Sequence, residues 1–95
     1  MQPLEQLRMM EKIVRELEDL SNSQTSVLKK ISQIEADNIN LNNKGLEEKL
    51  VALFEHISEN QGLAADLATS FSAETDQYRT DNKLDEVPDL EGAGS

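Results

Sequence analysis

The chain has 95 residues, enough for one small domain and too few for two separate cores. Nineteen Asp and Glu against nine Lys and Arg give a net charge of −10, which argues against a nucleic-acid partner because a phosphate backbone calls for a basic face. The absence of Cys excludes disulfides and thiolate metal sites, while Leu, Ile, Val and Phe make up 24 of 95 residues, above the roughly one-fifth typical of disordered chains.

No apolar run exceeds Leu50-Val51-Ala52-Leu53-Phe54. A secretory signal core needs about 7–15 apolar residues and a membrane span about 20. The expectation is therefore a cytoplasmic protein, or one exported without a cleaved signal peptide, and no membrane insertion.

The first element is a helix over about residues 4–41. Pro3 suits a first helical turn, and Glu5 sits where the helix dipole favours an acid. Ile13, Leu20, Val27, Ile34 and Leu41 recur every seven residues, and Met10, Leu17, Gln24, Ile31 and Asn38 form a second row. Labelled d and a, these rows make a coiled-coil seam. Leu7, Val14 and Leu28 fall at e and widen the stripe. Glu11 and Arg15 have the spacing of an i,i+4 ion pair.

Asn42-Asn43-Lys44-Gly45 follows. Asn and Gly accept left-handed backbone angles at helix ends, which makes Gly45 a candidate turn residue. A single continuous helix is the competing reading, since one Gly costs only about 1 kcal/mol in a helix. The phase opposes it. Five residues separate Leu41 from Leu46, which at about 100° per residue would swing the apolar stripe by about 140°. A turn at 42–45 repairs the phase.

The second helix spans about residues 46–79. One row runs Leu46, Leu53, Asn60, Leu67, Glu74 and the other Leu50, Ile57, Ala64, Phe71, Tyr78, with Phe54 and Ala68 beside them. The fold class is all-α: an antiparallel helical hairpin over residues 1–82. An apex near Asn43 and Lys44 sets residue i opposite roughly 87 − i, so Leu17 meets Phe71. Ser21 to Ser26 then falls opposite Asn60-Gln61-Gly62, the place where the arms would kink or fray. Residues 83–95 carry acids, Pro88 and two Gly without a repeat, and are expected to form a disordered acidic tail.

Gln24 and Asn38 are either register-setting polar layers or tolerated breaks in the seam. His56 is the only His and has no second ligand nearby in sequence, so no metal site is expected. The acids Asp76, Asp81, Asp85, Glu86 and Asp89 lack the fixed offsets and Gly of a calcium loop. No nucleophile triad, phosphate loop or carboxylate pair can be assembled, so neither enzyme activity nor a cofactor is expected. Leu7, Val14, Leu28 and Phe54 add apolar area that a lone hairpin would leave exposed, and they are the candidate partner-binding residues. Burying such area favours pairing into a four-helix bundle, with itself or with another hairpin.

A hairpin of this length with a Gly near its middle resembles the WXG100 (ESX-type) family and the small helical partners of LXG toxins. The stretch Leu63 to Asp76, in which Phe71 precedes Asp76 before the chain loses its repeat, looks like the end of the second helix in those proteins. The family turn is Trp-x-Gly, of which Asn43-Lys44-Gly45 keeps the Gly. The family export signal is Tyr-x-x-x-Asp/Glu. Here Tyr78 is followed by Asp81 and Asn82, and Phe71 precedes Asp76 by five. The resemblance implies a substrate or targeting partner of a type VII secretion system, with Phe71, Asp76, Tyr78 and Asp81 as the candidate export signal. The alternative is a structural coiled-coil subunit of a kinetochore-, tethering- or biogenesis-type assembly.

Overall fold

The computed structural model of the chain describes residues 1–84. Two helices, α1 (Pro3–Leu41) and α2 (Lys44–Asp81), pack against each other as an antiparallel hairpin about 60 Å long, with no strand among the described residues. Of the expected acidic tail, only Lys83 and Leu84 lie within the described residues.

Pro3 occupies the first turn of α1, where its missing N–H costs nothing. α1 ends because Asn42 turns left-handed, at φ 57°, while its N–H still bonds the Asn38 carbonyl. Asn43 is extended, and its side-chain oxygen accepts from the Leu46 N–H, capping α2. The turn is thus two residues, Asn42 and Asn43. Gly45 lies inside the first turn of α2 and has no positive φ, so it is not the turn residue. Asn supplies the left-handed angle because its short polar side chain tolerates that region.

Asn38 locks this corner from inside the seam. It is buried; its Nδ2 donates to the Asn43 carbonyl at 3.0 Å and its Oδ1 accepts from the Asn43 N–H at 3.2 Å. Of the two readings for Asn38, the structure favours the specific one, because these bonds fix where the chain reverses. With the reversal centred between Asn42 and Asn43, residue i lies level with about 85 − i, two residues from the expected register. Val14, rather than Leu17, is then level with Phe71.

The polar middle does face itself. Gln61 Nε2 donates to Ser21 Oγ at 3.4 Å, and both helices run through this level unbroken. Thr25 and Ser26 return their hydroxyls to carbonyls one turn back, at Ser21 and Asn22, which satisfies them without a partner helix.

The row that faces the other helix differs from the expected one. On α1 the inward residues are Leu7, Val14, Ser21 and Leu28 together with Met10, Leu17, Gln24, Ile31 and Asn38, all buried or half-buried. On α2 they are Leu50, Ile57, Ala64, Phe71 and Tyr78 together with Phe54, Gln61, Ala68 and Thr75. Leu7, at 4% exposed, and Ile31, at 3%, are among the best buried residues. Leu7, Val14, Leu28 and Phe54 therefore line the inside of the hairpin, not an outer face. The expected seam row of α1 is the one turned out: Leu20, Val27, Ile34 and Leu41 are exposed. Both choices keep a seven-residue period. Only the packing of α2 decides which adjacent pair of rows is covered.

Candidate interaction face

The Ile13–Leu20–Val27–Ile34–Leu41 row lies about 75° round α1 from the line joining the helices, at the 3.5 residues per turn of a coiled coil. The Leu46–Leu53–Asn60–Leu67–Glu74 row stands about 75° round α2, in the same rotational sense when each helix is followed from N to C. Because the helices are antiparallel, equal senses bring both rows to the same side of the hairpin. They form one broad face. Leu20, Val27, Ile34, Leu41, Leu53 and Leu67 are exposed on it, Leu41 at 68%, with Ile13 and Leu46 half-buried. Met9 and Leu63, both exposed, extend the face at its edges.

The opposite side is polar or small: Glu11, Glu18, Thr25 and Ser32 on α1, and Ser58, Ala65, Ser72 and Arg79 on α2. Its large exposed apolar residues, Ile39 and Val51, sit beside the turn. The inside of the hairpin is thin by comparison. Polar or small residues occupy Ser21, Gln24, Gln61, Ala64, Ala68 and Thr75, and no large side chain among the described residues is completely buried. Leu20, Val27, Ile34, Leu41, Leu53 and Leu67 thus remain exposed beside this thin core.

The candidate export residues lie at the open end, at the close of α2. Phe71 and Tyr78 face the seam and are half-buried. The buried Thr75 hydroxyl returns to the Phe71 carbonyl at 2.8 Å. Asp76 accepts from Arg79 Nη1 at 2.7 Å, and Asp81 accepts from Gln77 Nε2 at 2.7 Å; both acids are exposed. Arg79 also donates to Glu11 at 2.9 Å, tying α2 to α1. The bond to Asp76, and then the bond to Glu11, hold the Arg79 guanidinium above its ordinary pKa. Glu11 thus turns to α2 and to Arg8, at 3.7 Å, instead of forming the expected helix pair with Arg15.

His56 is exposed. Among the described residues no three His, Cys, Asp or Glu side chains gather closely enough to hold a metal ion, and no helix is long and apolar enough to cross a membrane. No family model, curated protein or solved structure matches this chain.

The residues that sequence reasoning passed over as partner-facing are those of the outer rows. Their signal was present as the strongest seven-residue repeat. It pointed to a seam, and the structure shows that the hairpin does not use it as its own.

Proposed function

We propose that this chain is a non-enzymatic protein–protein interaction module whose outer apolar face receives a second pair of helices, completing a four-helix bundle. The observation that supports this reading is the offset between repeat and contact. On each helix the two most apolar rows are centred about 50° away from the line to the other helix, and on both helices the offset is toward the same face. In a four-helix bundle each helix has two neighbours, and its core rows are centred between them, about 45° from either. These sequences are patterned for two neighbours, and the hairpin supplies one.

The face measures about 40 Å from Ile13 to Leu41 at 1.5 Å per residue. At roughly 20 Å across, it offers about 800 Å², the share of one partner in a standard interface. The test is to place Lys at Leu20 and Ile34. On this reading partner binding is lost while helicity and hairpin stability stay near the parent's. Binding that survives both changes would overturn it.

For the resemblance to type VII secretion proteins, support comes from the aromatic and acidic residues at the end of α2 and from the hairpin architecture. On that reading the module is a secretion substrate or a targeting or chaperone partner of a toxin. Replacing Tyr78 and Asp81 by Ala then abolishes export from a host that secretes the parent, with helicity largely kept. Because Tyr78 faces the seam, Asp81→Asn alone serves as the variant that leaves packing untouched. Export undiminished in both variants would remove the secretion reading and leave the interaction module standing.

A further inference from the structure

We propose that the occupant of the outer face is a second copy of this chain, docked with both turns at the same end of the bundle. This rests on the reading of that face given above. The apolar character of the face is graded along its length. Next to the turn both helices contribute large side chains: Ile34 and Leu41 from α1, Leu46 and Leu53 from α2. Toward the open end α2 contributes Glu74 and Asp81. Two copies with turns at opposite ends would set Leu53 level with the partner's Glu74 and Leu46 level with the partner's Asp81. With turns together, α1 of each copy lies antiparallel on α2 of the other. Leu41 then meets the partner's Leu46, Ile34 the partner's Leu53 and Leu20 the partner's Leu67. Asn60 falls beside Val27 in both copies, a polar layer at one level. The acids Glu74 and Asp81 come at the open end, where water reaches them.

Charge at the rim supports a second copy over a basic partner. The chain carries −10 overall, yet the edges of this face hold Glu16 and Asp37 against Lys30 and Lys49. With turns together, Asp37 lies level with the partner's Lys49, twice by symmetry, and no like charges oppose each other along these edges. Apart from Glu74 and Asp81 at the open end, acids lie off the face, among them Glu11, Glu18, Glu48, Glu55, Glu59 and Asp66. A face whose edges are balanced, with its acids confined to the water-exposed open end, complements its own copy and does not select for a cationic one.

The absence of Cys makes the arrangement directly measurable. Asn40→Cys places one spin label on an exposed site near the turn. Light scattering gives the mass, and double electron–electron resonance gives the label separation. With helices about 10 Å apart, turns at one end predict a separation below about 35 Å. Turns at opposite ends place the labels about 55–60 Å apart, from the length of the hairpin. We expect a dimer at tens of micromolar with the short distance, and at least a 100-fold weaker association for Leu20→Lys with Ile34→Lys. A dimer with the long distance overturns the arrangement. A chain that stays monomeric at several hundred micromolar overturns the second copy, while the capture of another helical partner by the face would still stand or fall by its own test. A dimer indifferent to Lys at Leu20 and Ile34 overturns both readings.

Discussion

Asn42 and Asn43 divide the work of the reversal, one supplying a left-handed angle and the other a cap, while Asn38 ties them to the seam. Gly45 has no part in it. A Cβ at Gly45 would meet only the Asn43 Oδ1, at 3.5 Å, in an ordinary helical conformation. Gly45→Ala should therefore stabilise the hairpin by about 0.5–1 kcal/mol, since Ala loses less backbone freedom in a helix. A rise in the thermal midpoint checks this, and a fall would return Gly45 to the turn. Asn38→Ala should act in the opposite direction. It leaves the Asn43 N–H without its side-chain partner, while the Asn43 carbonyl keeps the Glu47 N–H, at a cost of about 0.5–1.5 kcal/mol. Denaturant melts of the two variants against the parent would separate these roles.

At the scale of the helices, the covered rows and the outer rows make opposite predictions for the isolated hairpin. Leu7→Ala or Ile31→Ala removes a buried side chain and should cost about 2–4 kcal/mol. Leu20→Ala or Val27→Ala removes an exposed one and should change the melt of a monomeric sample by less than about 0.5 kcal/mol. Measured at low micromolar concentration, a reversed order would restore the seam first expected from the repeat. The link between the helices at the open end is weaker. Arg79 and Glu11 are both about a quarter to a third exposed, so Glu11→Gln should lower stability by no more than about 1 kcal/mol, and less at high salt.

For the whole molecule, charge and packing act against each other. A chain of net charge −10 that meets its own copy brings like charges together, while the rim of the face is balanced. Self-association should therefore tighten as salt screens the general repulsion, with a several-fold lower dissociation constant at 500 mM than at 50 mM NaCl. A partner held by attraction to the acidic surface would show the reverse slope in the same titration. Sedimentation at the two salt concentrations reads the sign directly.

The seven-residue rows and the phase break between Leu41 and Leu46 were enough to specify two helices, their reversal and their approximate ends, because helical periodicity and turn chemistry are local properties. Facing polar segments at Ser21 and Gln61 were legible for the same reason: fixing the reversal fixes the levels. Which pair of rows closes the hairpin was not legible. Three adjacent rows on each helix carry apolar residues, and a helix can cover only two of them against one neighbour. Rotating both helices by about 50° exchanges Leu7, Val14, Leu28 and Phe54 with Leu20, Ile34 and Leu53 without changing any local preference. The side-chain bonds at Asn38 and the fit of α2 select the rotation, and they exist only once the chain has folded back on itself. That selection turns the longest apolar row of the sequence outward, leaving Leu20, Val27, Ile34 and Leu41 exposed.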